Sequence, residues 1–124
     1  ILVRQRVPQL DVLQCARVFI SHGGMNSTME SLWHGVPLAV FPQFGDQPLN
    51  ASRVSELGLG VSLGTAEATN AKVLRETVER LDTDPGYRTR VSEFQSACQE
   101  AGGHRRAAEA LRHYVGARRG RTAA

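Results

Sequence analysis

Val18-Phe19-Ile20-Ser21-His22-Gly23-Gly24-Met25-Asn26-Ser27-Thr28-Met29-Glu30 is the stretch whose reading decides the fold. The β-branched and aromatic run Val18-Phe19-Ile20 reads as a buried strand. His22-Gly23-Gly24 reads as a turn, because glycine lets the backbone bend sharply and approach a ligand closely. Asn26 to His34 reads as a helix, with Gly35 as its stop and Pro37 just beyond. The start of such a helix offers unpaired N–H groups and the positive end of a dipole, which suits an anion such as a diphosphate. Asn26, Ser27 and Thr28 add side-chain donors, and His22 can donate from its ring. The same residues also allow an account without a ligand. Ser27 and Glu30 form an S-x-x-E capping box, and His22 can hydrogen-bond the turn. The stretch has neither the G-x-G-x-x-G of a dinucleotide site nor the lysine of a P-loop.

The pattern repeats on both sides. Downstream, Leu38-Ala39-Val40-Phe41 reads as a strand closed by Pro42. Pro48 then opens a helix that runs to Leu57 and stops at Gly58, and Val61-Ser62-Leu63 is a last short strand. Upstream, Leu2–Arg6 reads as a strand broken by Pro8, and Asp11–Ala16 as a short helix. Helices near Asn70–Asp82, Pro85–Ala101 and His104–Val115 complete a domain over residues 1–115, and 116–124 read as a disordered tail. Strands alternating with helices imply βαβ units, hence an α/β fold with a Rossmann-like parallel sheet flanked by helices. Ligands on such sheets bind beyond the carboxyl ends of the strands, here after Arg6, Ile20 and Phe41.

The exit of the Leu38 strand reads Pro42-Gln43-Phe44-Gly45-Asp46-Gln47. A carboxylate beside a carboxamide offers acceptors and donors together, as sugar hydroxyls require. The alternative is that Asp46 caps the helix beginning near Pro48.

Composition narrows the function classes. Formal net charge is +3, but Lys72 is the only lysine and the arginines gather late, from Arg105 to Arg121. A solvated helix face accounts for them, and no aromatics interleave to stack bases, which argues against nucleic acid. Cys15 and Cys98 fall in helical stretches and read as free buried thiols in a reducing, cytoplasmic compartment. No Cys/His cluster has metal-ligand spacing, and no apolar run approaches the ~20 residues of a membrane span. His-Gly-Gly could serve as an oxyanion loop, but the chain has no G-x-S-x-G elbow, so an esterase is rejected. Trp33 and Met29 are expected to pack in the core.

Taken in order, Val7-Pro8-Gln9, Phe19 to Thr28, Glu30-Ser31-Leu32, Gly35-Val36-Pro37, Pro42-Gln43 and Asp46-Gln47 resemble the donor-binding signature of glycosyltransferase family 1. The dense match covers Arg6 to Ala51, with a weaker continuation through Gly102-Gly103 and Ala107-Ala108. The Gly-Met-Asn-Ser version favours the bacterial antibiotic branch, including macrolide glycosyltransferases.

The resemblance implies a GT-B architecture with the active site between two Rossmann-like domains, of which this chain is part of the C-terminal one and a piece of a longer protein. By the same resemblance, Gln9 contacts the nucleobase near Val7. His22, Gly24, Asn26 and Ser27 hold the diphosphate, Glu30 takes the ribose hydroxyls, and Asp46 and Gln47 grip the transferred sugar. The family usually has tryptophan where this chain has Arg6; a guanidinium plane also stacks on a base, so the departure bears on base preference. The implied reaction is inverting transfer of a hexose from a nucleoside diphosphate to a hydroxyl of a small-molecule acceptor such as a macrolide. It needs no metal or other cofactor. The general base is a histidine of the N-terminal domain, so this chain supplies no catalytic residue and is inactive alone. Two alternatives stand beside it: another GT-B enzyme, such as a nucleotide-sugar 2-epimerase or lipid glycosyltransferase, and a non-catalytic nucleotide-sugar-binding fragment.

Overall fold

A computed structural model of the chain describes residues 2–64 and 69–121, with 117–121 as helix backbone only. In chain order the elements are α1 (Gln9–Leu13), β1 (Phe19–Ser21), α2 (Met25–Trp33), β2 (Leu38–Val40), α3 (Gln47–Glu56), β3 (Gly60–Ser62), α4 (Ala71–Thr83), α5 (Pro85–Glu100) and α6 (Gly103–Arg121). The strands form one parallel sheet in the order β1-β2-β3. Phe19 faces Leu38 in register, and Leu38 faces Gly60. Parallel neighbours need a crossover, and α2 and α3 provide the two.

β2 is the centre of the molecule. All three of its residues are fully buried, which is why it reads as an unbroken apolar run. Leu38 and Val40 join Leu32, Ala51, Val54, Leu59 and Val91 in one core layer, flanked by Phe19 and Phe94. Ala39 points the other way and packs with Leu63 and Leu81, flanked by Phe41, Val73 and Tyr87 among others. The period-2 alternation of the strand thus feeds two layers, with α2, α3 and α5 on one face and α4 on the other. Helix starts and stops are local. Asn70 Oδ1 caps α4 through the N–H groups of Lys72 and Val73, and Asp84 Oδ1 caps α5 through Gly86 N. Gly35 stops α2 as its sequence position predicts, with φ of 72°.

Several expectations need correction. Leu2–Arg6 is not a strand; Leu2 and Val3 lie exposed. A strand is held by its neighbour's hydrogen bonds, and no described strand pairs with this segment. The first helix begins at Gln9 rather than Asp11, because Pro8 takes the position preceding a helix, and it ends at Leu13. α6 continues past Val115, where the sequence pattern ended it, to Arg121. Alanine and arginine are good helix formers, and Gly116 and Gly120 cost only about 1 kcal/mol each. The remainder of the expected tail, 122–124, lies outside the described residues. Trp33 and Met29 are not core residues: they are 49% and 39% exposed. They line a groove between α1 and α2 with Leu10 and His34. The cysteines are free, but Cys15 is exposed and Cys98 only half-buried. Cys15 sits just after the short α1, where its side chain falls outside both core layers. Among the described residues, no helix is long and apolar enough to cross a membrane.

Candidate functional site

The carboxyl ends of β1 and β2 lie side by side in the sheet, so the loops that leave them are neighbours. The first loop is His22-Gly23-Gly24. Gly23 has φ of 85°, and a Cβ there would sit 2.5 Å from Val40 Cγ1. Only glycine fits both the left-handed backbone and this approach to β2. The His22 ring lies across Gly24, where a Cβ would meet His22 Nε2 at 2.6 Å. The ring is therefore held at the mouth of α2.

That mouth is uncapped by any side chain. The N-cap residue of α2 is Gly24 in extended conformation, with no side-chain cap hydrogen bond. The expected Ser27–Glu30 capping box does not form. The helix starts at Met25, three residues earlier than the box requires, so Ser27 is already inside the first turn. The first helical bond is Thr28 N to Gly24 O, so the N–H groups of Met25, Asn26 and Ser27 precede the intrahelical ladder. His22, Gly24, Met25, Asn26 and Ser27 line a shallow hollow of about 340 Å³ over this end. A dipole end, three N–H groups, two polar side chains and an imidazole suit an anion.

A second hollow of about 450 Å³ adjoins the first, sharing His22 and Ser27 and adding Gln9, Ile20, Ser21, Phe41 and Gln43. Gln9 Nε2 donates to Glu30 Oε2 at 2.6 Å, tying α1 to α2. Glu30, released from a capping role, points to α1 instead. Arg6 and Val7 lie in the exposed segment before Pro8 and do not line this hollow.

The second loop is Phe41 to Asp46. Asp46 is exposed and occupies the N-cap position of α3, yet makes no side-chain cap hydrogen bond. Its Oδ2 accepts from Asn50 Nδ2 at 3.1 Å. Gln47 is only 5% exposed. Its Oε1 accepts from Gln43 N at 2.9 Å and Phe44 N at 3.2 Å. The carboxamide oxygen thus holds the loop in shape, which leaves Asp46 as the exposed acceptor of the pair. The structure therefore brings Gln9, His22, Gly24, Asn26, Ser27 and Glu30 to one end of the sheet, with Asp46 on the adjoining loop. Sequence reading passed over Asn50, and it quoted Gln43 only as part of the signature, with no role of its own. A buried asparagine inside a helix needs hydrogen-bond partners, and its place four residues after Asp46 was the available signal.

Comparison with known proteins fits this geometry. Residues 1–113 match the family described as "Erythromycin biosynthesis protein CIII-like, C-terminal domain". The chain is 50% identical over 113 residues to the NDP-glycosyltransferase YjiC of Bacillus subtilis (strain 168), covering 91% of this chain and 29% of that protein. It is 38% identical over 116 residues to the oleandomycin glycosyltransferase of Streptomyces antibioticus, covering 94% of this chain and 27% of that one. The crystal structure of CalG4, the calicheamicin glycosyltransferase, superposes with a TM-score of 0.82 at 37% identity, covering 91% of this chain and 28% of the other. The chain thus spans less than a third of the length of these relatives. With the parallel sheet, the glycine loop and the uncapped helix already in place, the chain belongs to the erythromycin biosynthesis protein CIII-like C-terminal domain family and has the fold of the C-terminal domain of GT-B glycosyltransferases.

Proposed function

We propose that this chain supplies the nucleotide-sugar site of an inverting glycosyltransferase that moves a hexose to a hydroxyl of a small-molecule acceptor. One observation carries the reading: α2 opens without a side-chain cap beneath the His22 ring. Such an opening is an electrostatic seat for a diphosphate.

The remaining residues follow the length of a nucleotide sugar. His22, Gly24, Asn26 and Ser27 bind the diphosphate. Glu30 accepts hydrogen bonds from the ribose hydroxyls, and Gln9, bonded to it, meets the base beside Val7. Arg6, exposed ahead of α1, stacks its guanidinium plane on the base. Asp46 and the amide nitrogen of Gln47 meet the sugar hydroxyls. In the reaction the acceptor oxygen attacks the anomeric carbon as the bond to the diphosphate breaks. The α2 N–H groups and His22 stabilise the charge that develops on the departing diphosphate. The proton of the acceptor goes to a histidine base on a domain outside this chain. A reducing, cytoplasmic setting fits the free cysteines.

The test uses the full-length polypeptide that carries this chain. Calorimetry with UDP and UDP-glucose measures donor binding, and a panel of small hydroxylated acceptors measures transfer. Replacing His22 by alanine is expected to lower kcat about 10²–10³-fold, the usual effect of removing one donor to a developing anion. Transfer at an unchanged rate would remove His22 from the diphosphate site.

A further inference from the structure

Asn50 lies on α3, one turn beyond Asp46, and is only 8% exposed. Its Nδ2 donates to Gly23 O at 2.9 Å and to Asp46 Oδ2 at 3.1 Å. An amide nitrogen carries two hydrogens, and here each has an acceptor. One acceptor is the backbone of the loop that presents His22. The other is the exposed carboxylate of the second loop, which has no cap bond to its own helix. A single side chain therefore joins the diphosphate loop to the sugar-side carboxylate.

We propose that Asn50 is a positioning residue for the transferred sugar, fixing the Asp46 carboxylate in register with the His22-Gly23-Gly24 loop without touching the donor itself. The inference rests on the donor-site reading above. Two acceptors facing one side chain suit an amide at this position. A carboxylate of the same shape would set an oxygen against two acceptors and push Asp46 away; a hydrocarbon would leave the Gly23 carbonyl unpaired in a buried place.

The experiment measures affinity for UDP and UDP-glucose by calorimetry in the full-length polypeptide, so that no acceptor chemistry enters. Preference is read as the ratio of the two affinities. In Asn50→Asp at pH 8 this preference is expected to fall about tenfold, the scale of one lost charge-assisted hydrogen bond. On lowering the pH towards 5, two neighbouring carboxyls share a proton, and the resulting O–H restores the bridge to Asp46 and the preference with it. The ionisable side chains nearby are Asp46 and Arg53, with His22 on the loop that Asn50 bonds, and the unsubstituted protein carries all three, so each pH is read against it. In an Asp46→Ala background the Asn50 substitution should have no further effect on preference.

Asn50→Ser, which keeps one donor, carries the same test if the aspartate variant does not fold, with a partial loss expected. An unchanged preference at pH 8 overturns the proposal. So does a loss that is equal for both ligands, indifferent to pH and additive with Asp46→Ala, which is the signature of general loosening. Failure of the unsubstituted protein to bind UDP or UDP-glucose would instead overturn the donor-site reading, and this inference with it.

Discussion

Gln9 Nε2 donates to Glu30 Oε2 across 2.6 Å, joining the first turn of α1 to the middle of α2. The pair orients the carboxylate from the side, so that Glu30 presents a fixed acceptor rather than a swinging one. If Glu30 receives the ribose hydroxyls, Glu30→Ala should weaken UDP binding about ten- to a hundredfold, the range for hydrogen bonds to a charged group. It should also erase the preference for UDP over 2′,3′-dideoxy-UDP, measured by titration of both ligands. A variant that still discriminates the two would assign the ribose to another residue.

Asp46 separates a cap from a binding group. Its carboxylate makes no cap hydrogen bond to α3, so Asp46→Ala should cost no more than about 1–2 kcal/mol, the scale of its one hydrogen bond from Asn50 Nδ2. Affinity for UDP-glucose should fall, while affinity for UDP should hold. Thermal unfolding and parallel titrations check both halves, and equal losses for the two ligands would return Asp46 to a structural role.

Two glycines should differ in what their replacement does. Gly23→Ala forces a side chain into a φ of 85° and to within 2.5 Å of Val40 Cγ1, costing about 1–3 kcal/mol as overpacking does. Gly60→Ala would place a Cβ 2.1 Å from Leu38 O. That neighbour is strand backbone, which cannot rotate aside, so this variant should be the less stable of the two. Urea unfolding of both ranks them, and the reverse order would contradict the β2–β3 register.

Asp82 links the approach to β1 with the α4–α5 corner, accepting from Arg17 and Arg88. The Arg17 hydrogen bond, more than any other contact, holds its carboxyl below the ordinary value of 3.8. A depressed pKa stabilises the fold above the unfolded value, and that contribution fades as the pH falls through the folded one. Asp82→Asn should therefore be slightly less stable than the parent at neutral pH and converge with it as the pH falls below about 4, which flattens the acid limb. The effect is small because the pair is solvent-exposed. Unfolding midpoints from pH 2 to 7 for both proteins test it, and superimposable profiles would show that the ion pair contributes nothing.

The central strand and its helices were legible because their causes are local. Leu38–Val40 is apolar at every position, as a strand covered on both faces must be, and Gly35 and Gly58 mark the ends of α2 and α3. What escaped depends on residues far apart in the chain. Leu2–Arg6 has a strand's composition, but composition does not supply a neighbour. Ser27 and Glu30 have the spacing of a capping box, yet Gly24 lets the helix start earlier and places them within it. The stripe that includes Met29 and Trp33 shows which side of α2 is apolar and not how much of that side α1 covers. Asn50 was missed because one of its partners, Gly23, lies 27 residues away.

α2 is held on several sides. Thr28, Ser31 and Leu32 are buried beneath it; Gln95 Nε2 on α5 donates to Trp33 O at 2.7 Å, and Gln9 grips it at Glu30. The same helix and the His22-Gly23-Gly24 loop that opens it carry the residues assigned to diphosphate and ribose. Of the residues assigned to the base and the hexose, Arg6, Val7 and Asp46 are exposed, while Gln9 and Gln47 are tied into the fold by hydrogen bonds. Under the donor-site reading, exchanges at the exposed Arg6 and Val7 would alter base choice at little cost to the fold, whereas exchanges along α2 would disturb folding and diphosphate binding together.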